Sequence, residues 1–129
     1  AIANKLTSLF PGFGQVTEYI VATAVNLPIN ATTTTALTGF ANYIRNGRIR
    51  FKLSAAPAAC QITAIKITGT DGSLTVTLYQ DAVARTAAEL VDLLFHFISE
   101  LNLTTISVAV TMANAGTAAT ADFEVAGNN

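Results

Sequence analysis

Two stretches near the carboxyl end alternate apolar and short polar side chains with a period of two. Ile106, Val108, Val110 and Met112 do so in 105–112, and Ala119, Ala121, Phe123 and Val125 in 119–125. Successive side chains of an extended chain point to opposite sides, so this pattern commits both stretches to a sheet buried on one face. Other segments read the same way. Residues 16–27 are rich in β-branched side chains and closed by Pro28, which predicts a strand with little solvent on either face. Residues 30–35 make either a Thr-rich connection or an extended edge strand. Segments 61–68 and 74–80 flank Asp71-Gly72, a pair suited to a hairpin turn. The apolar parity changes between Ile62 and Ile65, which predicts a bulge or burial on both faces.

Residues 37–53 admit two readings. Asn46-Gly47 between two hydrophobic runs predicts a hairpin of 40–45 with 48–53. The alternative is a helix bearing Leu37, Phe40, Ala41 and Ile44 on one face, with Thr35 as cap and Gly47 as stop. Segment 48–53 is a strand on both readings, and its alternation sets Arg48, Arg50 and Lys52 on one side. With Arg45 these are four of the chain's seven cations. The plainest role for such a stripe is to keep an edge strand from aggregating. Contact with phosphates, and so with nucleic acid, or with carboxylates of a neighbouring subunit are the alternatives.

Residues 86–101 predict an amphipathic helix. Thr86 and Glu89 form a capping box, and the apolar residues from Leu90 to Leu101 spread over about 200° of a helical wheel, wider than one sheet covers. Phe95 and Phe97 at the edge of that arc need cover from the rest of the chain or from another subunit. Asp92, His96 and Glu100 share the polar side at a spacing that could present metal ligands, but no companion ligands complete a site, and a solvated face is the plainer reading. At the amino end Ile2, Leu6, Leu9 and Phe10 recur at helical spacing until Pro11-Gly12-Phe13-Gly14 stops them. They form a short arm over 1–14, leaving 15–129 as one domain. The expected fold is mainly β within an α+β scheme: an antiparallel sheet or two-sheet sandwich, one late helix and a helical amino-terminal arm.

Composition narrows the function. The chain is 51% hydrophobic and 12% charged, about half the usual charged fraction of about 25%, so Thr, Ala, Ser and Asn must cover much of the surface. A net charge of −1 supplies no field that would draw in nucleic acid or an acidic membrane. Cys60 stands alone, which excludes an intrachain disulfide and fits a reducing compartment. No apolar run approaches the length of a membrane span, and the first residues lack the features of a secretory signal. One His, one Cys and no phosphate-binding loop or nucleophile elbow leave no catalytic set. The expectation is a non-enzymatic, cofactor-free structural protein that assembles with copies of itself or with other structural subunits as a homo-oligomer. A virus or phage particle is the setting that fits best (a capsid, decoration, penton or tail subunit), with a virion location, or a cytoplasmic one if the protein is not viral. The alternative is a non-catalytic binding module for a peptide, glycan or lipid.

Overall fold

The computed structural model describes residues 17–55, 60–86, 92–113 and 117–129, and among them there is no helix. Nine strands run β1 (Thr17–Leu27), β2 (Thr32–Leu37), β3 (Ile44–Ala55), β4 (Gln61–Thr70), β5 (Thr75–Asp81), β6 (Arg85–Thr86), β7 (Leu93–Leu103), β8 (Thr105–Met112) and β9 (Ala119–Asn128). They form two antiparallel sheets, ordered β1-β9-β3-β7 and β2-β8-β4-β5, with β6 paired to β4.

Setting the short β6 aside, the first strand pairs with the last, the second with the second-last, and so inward to β4 with β5. The chain is therefore one long hairpin rolled onto itself, with β3·β9 and β4·β8 closing the roll. This is the jelly-roll arrangement of antiparallel sandwiches. Its core lies between the sheets, where Phe51 and Phe123 meet with ring centroids 5.3 Å apart and Ile44, Ile62, Leu103 and Ile106 are fully buried. Each such side chain contributes about 1.5–3 kcal/mol through burial.

The alternation of β8 and β9 is realised position by position: Ile106, Val108, Val110 and Met112 are buried, and so are Ala119, Ala121, Phe123 and Val125. Residues 32–37 form an edge strand on β8. The Asp71-Gly72 turn joins β4 to β5, with Asp71 Oδ1 accepting from the Ser73 and Leu74 amides and Gly72 at φ 101°. The parity change in β4 is a bulge, seen as a register shift between Ile62 and Ala64. Strand β1 is buried less than its composition suggests, since Tyr19 and Val21 are exposed on its outer side.

Three expectations are corrected. The helix over 86–101 is absent where the chain is described: Thr86 ends β6, and Leu93–Leu103 is a strand. Its inner side carries Leu93, Phe95, Phe97, Ser99 and Leu101, whereas Leu94, His96, Ile98 and Glu100 point outward. Apolar residues at both parities of a strand imitate a very wide helical arc, so the excess width was a sign of two-sided exposure. Asn46-Gly47 is not a turn, and 37–44 is not a helix: β3 runs unbroken through both residues. Gly47 serves another need, because a Cβ there would lie 2.2 Å from the Ala126 carbonyl oxygen of β9. Finally, β3 lies inside its sheet between β9 and β7, so its cations do not guard an edge. The arm with Ile2, Leu6, Leu9 and Phe10, and residues 87–91 of the expected helix, lie outside the described residues.

Candidate functional site

Because β3 is central and alternates strictly, Arg48, Arg50 and Lys52 stand on the outer face of the first sheet, where antiparallel register assigns each its neighbours. Arg48 lies between Ala126 and His96, Arg50 between Glu124 and Leu94, and Lys52 beside Asp122. Tyr19 of β1 extends the first row and Val21 the second.

Carboxylates meet the central cation of the three. Arg50 grips Asp92 with two nitrogens, Nε to Oδ1 at 2.9 Å and Nη2 to Oδ2 at 2.5 Å, and its Nη1 lies 4.0 Å from Glu124 Oε2. The hydrogen bond and charge of Arg50 hold the Asp92 carboxyl below its usual range. Tyr19 donates its hydroxyl to Glu124 Oε1 at 2.6 Å, and that bond pushes its own pKa up. Asp122 Oδ1 accepts the Ala24 amide at 2.9 Å, bracing the β1 bulge where Ala24 takes φ 53°. Arg45 stands apart: its Nε donates to Asn102 Oδ1 at 2.7 Å and its guanidinium sits 5.9 Å from the centre of the Tyr43 ring. The predicted basic stripe thus lies mid-sheet, with Arg50 ion-paired to Asp92 and Glu124.

One corner of the face differs. Thr17, Asn46, Arg48, His96, Ala126 and Asn128 border a hollow of about 460 Å³. Ala126 is short, whereas Gly47 and Gly127 have the opposite parity, and a Cβ on either would meet backbone or the buried Ile44. Arg48 has no carboxylate directly across from it on either neighbouring strand. Asn128 Oδ1 is buried there without a hydrogen-bond donor.

The remaining candidates fall elsewhere. Phe95 and Phe97 turn into the sandwich: Phe95 meets Tyr79 of the opposite sheet in a tilted contact with ring centroids 4.4 Å apart, and Phe97 is buried. The outward apolar residues of β7 are Leu94 and Ile98, the latter 88% exposed; only the strand parity reveals them. Asp92, His96 and Glu100, about 6 Å apart per pair on a helix, are about 13 Å apart per pair on a strand. They cannot share one ion, and among the described residues no cluster of His, Cys, Asp and Glu could hold a metal. Cys60 is fully buried, and burial pushes its thiol up. Asn46 and Asn128 were not legible in the sequence, since nothing in it pairs the middle of β3 with the end of β9.

The second sheet presents a different exterior. Register places Thr32, Thr34, Ala36, Thr111, Ala109, Ser107, Ala64, Thr68, Thr70, Thr75, Thr77 and Gln80 around a single charged residue, Lys66. Thr32 and Thr111 share a hydroxyl–hydroxyl bond of 2.8 Å on it.

Comparison with known proteins locates the fold and little more. No protein-family model matches the chain, and no curated sequence matches it. Among solved structures, a carbohydrate-binding module, CBM32-3 of a family 31 glycoside hydrolase from Clostridium perfringens, aligns over 86% of this chain and 75% of its own, with 8% identity and a TM-score of 0.54. That likeness is one of fold alone. A nora virus structure aligns over 87% of this chain and 55% of its own at 10% identity and a TM-score of 0.45. A structure of the Gx strain of infectious bursal disease virus does so over 88% and 34% at 17% identity and a TM-score of 0.43. Similarity at this level carries no argument. Among the described residues no helix is long and apolar enough to cross a membrane.

Proposed function

We propose that the protein is a non-enzymatic structural subunit that packs against copies of itself, as a component of a virus or phage particle. The observation that carries this reading is the outer face of the second sheet, four strands wide and bearing one charged side chain, Lys66, among the described residues. Soluble monomers keep mixed charges dispersed over their surfaces to prevent association. A field of Thr, Ala and Ser instead lets another backbone approach closely and loses little side-chain entropy when covered. The edges agree with it: β1, β2, β5 and β7 contain no Lys or Arg, the residues that commonly blunt exposed strands. Jelly rolls occur in viral capsid and lectin domains alike, so the fold admits a binding module as well, and the neutral face favours assembly. The arm with Ile2, Leu6, Leu9 and Phe10 belongs to this proposal as an exchangeable contact with a neighbour.

Thr34→Lys combined with Thr77→Lys places two cations on exposed positions of that face. Light scattering across a concentration series should find the parent protein oligomeric and the double variant monomeric, with stability changed by less than about 0.5 kcal/mol, as for ordinary surface substitutions. A parent protein that is strictly monomeric at high concentration refutes the proposal.

A further inference from the structure

We infer that the free edge of β7 pairs antiparallel with the same edge of a second copy, about a two-fold axis at His96, so that the first sheets of two copies join into one. This contact rests on the self-assembly proposed above and adds to it on a different sheet.

The edge is open and apolar. Strand β7 ends the first sheet, and among the described residues no strand pairs with its outer edge. Such a row of unpaired amides and carbonyls is a template for another chain, and β7 has no Lys or Arg to discourage one. Its outward Ile98 is 88% exposed, the most exposed large apolar side chain among the described residues, and Leu94 is half exposed.

The order of side chains along the edge selects the occupant. Leu94-Phe95-His96-Phe97-Ile98 reads alike in both directions: aliphatic, aromatic, His, aromatic, aliphatic. An isologous contact sets residue i against j and j against i. With the axis at His96, Leu94 of each copy lies beside Ile98 of the other on the outer face, and Phe95 beside Phe97 on the inner one. Matched cross-strand pairs are what stabilise neighbouring strands. Moving the axis by one residue, to Phe95 or Phe97, sets Leu94 or Ile98 against His96 instead. The register of β7 with β3 is unbroken from Leu93 to Ile98 and then jumps to Leu103 at Ile44, so the straight part of the edge contains the whole palindrome. Charge agrees just beyond it. Glu100 has no ion pair among the described residues, and the same axis brings it toward Asp92, to which Arg50 and Lys52 of that copy are both attracted. So short a ladder does not hold two copies by itself, since an isolated pair of strands is marginal in water; it forms between copies that the neutral face has already gathered.

The test is disulfide trapping under mild oxidation in the full chain, where Cys60 is buried and does not compete. Opposed residues at the axis have Cα atoms about 4.5–5.5 Å apart, within the span of a disulfide. The two copies of residue 94, or of residue 98, lie four residues out of register, about 13 Å apart. His96→Cys should therefore cross-link to a dimer about 10-fold faster than Leu94→Cys or Ile98→Cys alone. A mixture of the last two should cross-link as fast as His96→Cys. Ile98→Lys should lower the assembly mass found by light scattering about two-fold or more and leave the thermal transition where it is. Equal cross-linking at the three positions, or an assembly mass that Ile98→Lys leaves unaltered, overturns the edge contact, while an oligomeric parent keeps the neutral face. Preferential cross-linking of His96→Cys in oligomers that survive Thr34→Lys with Thr77→Lys overturns the neutral face and keeps the edge contact.

Discussion

Gly47 and Gly72 each follow an Asn or Asp, and turn vocabulary assigns both the same task. Only Gly72 performs it, at φ 101° with nothing within 4 Å of where a Cβ would stand. Gly47 lies mid-strand, where its missing side chain lets β9 approach. The two alanine variants should therefore behave differently. Gly72→Ala should cost about 1 kcal/mol in urea-induced unfolding, the strain of a left-handed alanine. Gly47→Ala should cost upwards of about 3 kcal/mol, because the obstructing atoms belong to the Ala126 carbonyl and the Gly127 backbone and cannot rotate away. Equal costs would show that Gly47 is retained for conformational freedom. The dipeptides were legible in the sequence, but which constraint each glycine answers depends on a strand some eighty residues further on.

At the level of elements, the short β6 is held by a compact polar cluster. Arg85 grips Asp81 of β5, Nη1 to Oδ1 at 2.9 Å and Nη2 to Oδ2 at 2.5 Å, and Tyr79 donates its hydroxyl to the same carboxylate. The Asp81 and Arg85 side chains are only 11% and 14% exposed. The bonds from Arg85 outweigh burial and hold the Asp81 carboxyl well below its ordinary value. A carboxyl whose folded pKa is depressed binds fewer protons when folded than when unfolded. Its stabilisation is complete above the unfolded value of about 3.9 and is lost as the pH falls toward the folded one. Asp81→Asn should therefore cost about 3 kcal/mol at neutral pH by stranding a buried guanidinium. It should also flatten the decline in stability below pH 4, read from urea midpoints between pH 2 and 7. A variant with the parent's acid decline would assign that decline to other carboxylates.

For the whole molecule, the roll makes the last strand a central one. Strand β9 separates β1 from β3 and supplies Phe123 and Val125 to the core, so the first sheet cannot close until the carboxyl end is in place. A chain ending at residue 117 should show no cooperative thermal transition, whereas a truncated chain that melts cooperatively would show that the sheet forms without β9. The charged outer face of this sheet and the neutral face of the other belong to the same scale, since each is assembled from four strands distant in sequence. Composition announced that the surface would be short of charge. It did not indicate that one outer face would carry Arg48, Arg50, Lys52, Asp122 and Glu124 while the other is nearly neutral.

Local sequence by itself determined the mainly β character, the inward residues of β8 and β9, the Asp71-Gly72 turn and the common side of Arg48, Arg50 and Lys52, and it left a bulge in β4 as one of two readings. These follow from side-chain direction and turn sterics, which act over a few residues. Tertiary structure alone decided that 93–103 is a strand, that β3 passes straight through Asn46-Gly47, that the basic residues lie mid-sheet among carboxylates, and that Asn46, Arg48 and Asn128 border one hollow. In each case the deciding contact joins residues far apart in the chain. A strand's pairing is set by which partner's backbone and inner face complete the sandwich, and the period of its own side chains holds no record of that partner.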